Sequence, residues 1–125
     1  MLATRTASIG LSDDVLVTVR IHDGAHQSLE DAKTNLAAAS AATAGRRRPL
    51  LVDIRTAQPL EAEARHHYMG RTLVDSFSAI ALLIEGSPLG RMMGNVYLRL
   101  ARPGIPAQLF SDEPQAIAWL ITHRL

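Results

Sequence analysis

Two largely apolar runs, the second broken only by Ser78, govern what this chain can become. Leu50-Leu51-Val52 leads into Asp53-Ile54, and Phe77 to Ile84 reads FSAIALLI. A strand with one wet face alternates apolar and polar residues, so a run that is apolar on both faces needs cover on both sides of a sheet, as central parallel strands have. Parallel neighbours must be joined by crossovers, which are usually helical. Residues 15–21, VLVTVRI, alternate instead, with Val15, Val17, Val19 and Ile21 on one face and Leu16, Thr18 and Arg20 on the other. Ala3 to Leu11 alternates more weakly, and Ser12-Asp13-Asp14 supplies turn residues between the two, so an N-terminal hairpin is expected.

The intervening segments carry helix signals. Ser28-Leu29-Glu30-Asp31 is a capping-box pattern ahead of an alanine-rich stretch, which predicts a helix from about Leu29 to Ala44, ended by Gly45. With only Leu29 and Leu36 as bulky apolar residues, it must pack closely on its neighbour. A second helix is predicted from about Leu60 to Val74, with Pro59 at its start, and a third from Ser87-Pro88 to about Leu100. Ala107 to Phe110 reads as a short strand, and Asp112-Glu113-Pro114 opens a last helix carrying Ala116, Ile117, Trp119, Leu120 and Ile121. The predicted order is ββαβαβαβα, a single α/β domain over residues 1–125 with four helices and a mostly parallel sheet that one antiparallel hairpin makes mixed.

Composition excludes several function classes. With 13 basic and 12 acidic residues the net charge is +1, so no global field would hold the chain on nucleic acid. No cysteine is present, which removes disulfides, thiolate zinc sites and cysteine nucleophiles. Nothing approaches the length of a membrane span, and residues 1–10 lack the apolar core of a secretion signal, so a cytoplasmic location is expected.

The element order, covering nearly the whole chain, resembles the STAS fold of bacterial anti-sigma factor antagonists, the SpoIIAA-like type. More specifically, LLVDIR at 50–55, AIALLIEGSPLGRMMGN at 79–95 and PAQLFSDEPQAIAWL at 106–120 resemble a group of small bacterial STAS/SEC14-like proteins. In phosphoregulated members, an aspartate ending the third strand precedes a serine or threonine that a kinase modifies. Asp53 matches the aspartate, but Arg55 stands at the acceptor position and Thr56 follows it. The resemblance implies a regulatory, non-catalytic domain that binds a protein partner or senses a ligand, with no cofactor; Thr56 is the one candidate phosphoacceptor.

In an open parallel sheet, ligands bind beyond the carboxyl ends of the strands. Neighbouring strands would gather Asp53, Arg55, Thr56, Ser87, Arg91 and Asn95 there, with Arg91 and Asn95 sharing a helical face. Ser87 and the N–H groups behind Pro88 suit an anion, which Arg55 or Arg91 would grip with two N–H donors. The plainer reading makes Ser87 a helix cap and pairs Arg55 with Asp53 or Glu85. Glu63 and His67 are four residues apart but lack a third metal ligand, and no phosphate-binding loop or nucleophile elbow occurs. Arg46-Arg47-Arg48 reads as a solvated turn favouring a helix C-terminus, or as an anion contact. Met92, Met93, Val96, Tyr97 and Leu100 form an apolar stripe that suits the core or a partner surface.

Two readings follow. A regulatory module would meet a protein at Arg55, Ser87 and Arg91. A small-molecule or lipid-type carrier would need a cavity of about 300 Å³ or more, lined by residues such as Met92, Val96 and Tyr97. An enzyme would need a convergent acid, base or nucleophile that these motifs do not assemble. Pairing of two copies through the N-terminal edge strand or the methionine-bearing helix is open to this sequence.

Overall fold

The computed structural model describes residues 1–88, 90–92, 95 and 104–124. Six strands form one sheet in chain order: β1 (Leu2–Ala3), β2 (Ala7–Ser12), β3 (Leu16–Ile21), β4 (Arg48–Asp53), β5 (Phe77–Leu83) and β6 (Ala107–Phe110). The pairs β1/β2 and β2/β3 are antiparallel, whereas β3 through β6 run parallel. The expected mixed sheet with an N-terminal hairpin is therefore present, extended at its edge by the two-residue β1. The hairpin turn is closed by the Val15 N–H donating to the Ser12 carbonyl at 2.9 Å, and Asp13 and Asp14 both take left-handed backbone at φ 52° and 57°. That mirror-image turn matches the twist of the strands it joins.

The apolar runs fill both sides of the sheet as their pattern requires. Val17, Val19, Leu50, Ile80 and Leu82 face one cluster, with Leu36, Ala39 and Leu73 of the covering helices. Leu16, Leu51, Ala79, Ala81 and Leu83 face a second cluster closed by Ala116 and Leu120. All seven residues of β5 are buried. Pro49 lies inside β4, where the missing N–H would break a ladder, and the register shifts at that point. Arg48 pairs with Phe77 and Pro49 with Ala79, leaving Ser78 as the extra residue, the irregularity in which a central-strand proline is tolerated.

Helix α1 (Leu29–Ala42) starts at the expected capping box: the Asp31 N–H donates to Ser28 Oγ and the Ser28 N–H to the Asp31 carboxylate. The helix predicted over 60–74 is instead two, α2 (Ala62–Tyr68) and α3 (Arg71–Ser76), and Pro59 lies before its start. On one continuous helix Ala64 and Leu73 would point about 180° apart at 100° per residue. Both are fully buried, so the chain breaks between them at Met69 and Gly70. The last helix, α4 (Glu113–Ile121), has Asp112 as its N-cap and Pro114 in its first turn. Pro88, Gly90, Arg91, Met92 and Asn95 are helical; Met93, Val96, Tyr97 and Leu100 lie outside the described residues.

Candidate functional site

The parallel register sets Arg20 of β3 directly beside Asp53 of β4, both on the side of the sheet that α4 covers. Arg20 donates from Nη1 to Asp53 Oδ2 at 3.0 Å, and from Nη1 and Nη2 to the two oxygens of Glu113 at 2.6 and 3.0 Å. Arg55 approaches Asp53 from the other side. Its backbone N–H, Nε and Nη2 reach the carboxylate at 3.1, 3.0 and 2.8 Å, and its Nη2 lies 3.7 Å from Glu113. Two arginines and two carboxylates thus join the ends of β3 and β4 to the start of α4, where Glu113 also complements the positive helix end.

Burial alone would raise the Asp53 carboxyl, but hydrogen bonds from Arg55 and Arg20 outweigh it and hold the group below its ordinary range. Hydrogen bonds from Arg20 likewise depress Glu113. The reciprocal bonds raise Arg20 and Arg55. All four groups are therefore locked in their charged forms at neutral pH. Sequence reasoning placed Asp53 and Arg55 here and set Glu113 at a strand end and helix start, but did not bring it to Asp53, and it missed Arg20. Arg20 carried a signal as the one charge on a strand otherwise fit for burial.

The second half of the expected site lies beyond β5. Ser87 is a helix cap: the Gly90 N–H donates to its Oγ at 3.0 Å, and the Arg91 N–H to its carbonyl at 3.1 Å. The Ser87 hydroxyl donates in turn to the Glu85 carboxylate, so that hydroxyl is engaged by a carboxylate of the chain itself. Arg91 donates to Ser111 Oγ at 3.1 Å, and Asn95 is exposed. The turn from Ser111 to Glu113 connects the halves, since one end meets Arg91 and the other meets Arg20. Thr56 is exposed and donates to Asp23 Oδ1 at 2.7 Å; a phosphoryl group there would face that carboxylate.

A separate polar cluster, unforeseen in the sequence, is buried under α1. Asn35 Nδ2, with two hydrogens to give, lies 2.8, 3.1 and 3.1 Å from the acceptors Thr6 Oγ1, Gln27 Oε1 and Tyr68 Oη, and Asn35 Oδ1 accepts from Thr4 Oγ1 at 2.5 Å. Tyr68 also donates to Gln27. Burial pushes the Tyr68 phenol up to about 12. The signal was the spacing Ala32-Asn35-Leu36-Ala39, which puts an amide on the helix's buried face. Next to the cluster, between the sheet and α1 to α3, is a cavity of about 60 Å³ lined by residues including Val19, Leu36, Leu50 and Met69. It is far below the volume of ordinary ligand sites. Met92, expected to line a cavity, is 58 % exposed. Among the described residues, no group of three or more His, Asp or Glu side chains is placed to hold a metal ion, and no helix is long and apolar enough to cross a membrane.

This strand order and pairing define a SpoIIAA-like α/β domain. An uncharacterised protein of the DUF3478 family from Shewanella loihica PV-4, described as having a SpoIIAA-like fold, superposes with a TM-score of 0.63 at 20 % identity, over 96 % of this chain and 98 % of that one. The chain belongs to the DUF7793 family, a domain of unknown function whose model matches residues 9–124. A protein of unknown function from Arthrobacter sp. FB24 is similar at 26 % identity over 90 % of this chain and 97 % of its own, with a TM-score of 0.35. No curated protein matches.

Proposed function

We propose that this chain is a non-catalytic regulatory module that binds a protein partner at the carboxyl end of its sheet. The observation that carries this reading is the network of Arg20, Asp53, Arg55 and Glu113, which fixes charges of both signs in one register on an accessible rim. Arg55 and Arg20 keep 43 % and 38 % of their side-chain surface exposed, so a partner's own charges have access to them. Fixed, alternating charge selects a partner by register more than it adds raw affinity. Arg91 and the exposed Met92 beyond Ser87 would extend the contact with a basic and an adaptable apolar side chain. Every shift in the network runs away from neutrality, which supports recognition over proton transfer near pH 7.

Native mass spectrometry of the protein purified from its own host tests it. A complex with a protein partner is expected, lost on Arg55→Glu and retained on Lys33→Glu, whose site lies on exposed α1. A complex indifferent to Arg55→Glu, or a chain carrying only a small molecule, would overturn it.

A further inference from the structure

At the amino end of the same sheet, β4 begins with Arg48, and the fold brings the consecutive arginines Arg46, Arg47 and Arg48 together with Arg124 from the far end of the sequence. Arg46, Arg47, Arg48 and Arg124 line a cleft of about 220 Å³ with Val15, Pro49 and Asp14, whose carboxylate is the one acidic side chain in the lining among the described residues. Arg48 is buried and fixed: its Nε donates to the Thr43 carbonyl at 2.8 Å, and its terminal nitrogens meet the Asp14 carbonyl and, at 3.4 Å, the Asp14 carboxylate. Arg47 spends one donor on the Phe77 carbonyl at 2.8 Å. The exposed side chains of Arg46 and Arg124 make no hydrogen bond or ion pair among the described residues.

We infer that this cleft binds a phosphomonoester, carried either by a soluble metabolite or by a lipid headgroup. Four guanidinium groups around one space repel one another, and a single carboxylate offsets only part of that charge, so an anion entering the cleft relieves the remainder. A planar fork of N–H donors matches phosphate oxygens pairwise, and a phosphate dianion neutralises two positive charges where a carboxylate neutralises one. Two arginines are held by backbone carbonyls and two are available to close on a ligand, a fixed half and an adjustable half. The cleft is separated from the partner-binding rim by the length of β4, roughly 17 Å at the usual rise per residue, so it is independent of the regulatory reading.

The test is an NMR titration of the full chain with inorganic phosphate and with a soluble inositol phosphate, beside sedimentation with phosphatidylcholine vesicles that contain or lack a phosphoinositide. Saturable shifts in the Nε–H signals of Arg46, Arg47, Arg48 and Arg124 are expected with at least one probe. Arg46→Gln with Arg124→Gln should weaken that binding by about tenfold or more, with an unchanged thermal midpoint. Binding to soluble phosphates without vesicle sedimentation identifies a metabolite, and sedimentation confined to phosphoinositide vesicles identifies a headgroup. Absence of saturable binding to every probe, binding unaltered in the double variant, or tighter binding of a single-stranded oligonucleotide through the same arginines overturns the inference.

Discussion

Asp31 accepts hydrogen bonds from the Arg5 guanidinium and from the Ser28 N–H and hydroxyl, and these hold its carboxyl at about 2, below the ordinary 3.8. The unfolded chain therefore binds a proton at a higher pH than the folded one does. The stability this confers is complete above pH about 4 and is lost as pH falls toward about 2. Thermal midpoints measured across that window should decline, and Asp31→Asn should flatten the decline; an equal slope in the variant would refute the assignment. Arg48 offers a second test at this scale. It was read as part of a solvated turn, but it is buried and donates to Thr43, the residue that ends α1. Arg48→Met keeps most of the apolar stem and removes the donors, which should cost about 2 kcal/mol in urea unfolding. An unchanged midpoint would mean that water replaces the guanidinium without loss.

Elements meet their neighbours through a few crowded positions. A Cβ at Gly90 would lie 2.8 Å from the Glu85 carbonyl oxygen and 2.9 Å from Glu85 Cγ. Because a carbonyl cannot rotate away as a side chain can, Gly90→Ala should push the Glu85–Ser87 turn from the helix it caps. A loss of about 2 kcal/mol is expected, with faster hydrogen exchange at the amide of residue 90, now bonded to Ser87. Unaltered exchange would show that the turn yields at no cost. At Gly70 the same construction meets only the His67 and His66 carbonyl oxygens at 3.4 and 3.5 Å. The break between α2 and α3 is therefore imposed by burying both Ala64 and Leu73, and glycine merely eases it.

Across the whole molecule, the Asn35 cluster ties the N-terminal segment, the loop before α1, α1 itself and α2 to one amide. Replacing it by Leu would leave Thr6, Gln27 and Tyr68 without that donor in a buried setting, at a cost of about 3 kcal/mol. Tyr68→Phe removes one of those stranded partners, so the two substitutions combined should destabilise by less than the sum of the single effects in denaturant unfolding. Strict additivity would mean that the cluster does not act as a unit.

The division between what the sequence held and what folding added follows from the range of the forces. Periodicity and caps are local, so the two buried strands, the hairpin turn, the Ser28 and Asp112 caps and the mixed sheet were legible from neighbouring residues alone. Asp53 and Arg55 were legible too, because a carboxylate ending an apolar run marks a strand's carboxyl end. The pairing of Arg20 with Glu113 was not, since it joins residues 93 apart in the chain. Nor was the meeting of Arg124 with Arg46 to Arg48, or the Asn35 cluster, in which one amide serves both flanks of the helix it sits on. These contacts depend on which strand lies beside which and on the face a helix turns inward, and tertiary packing alone decides both.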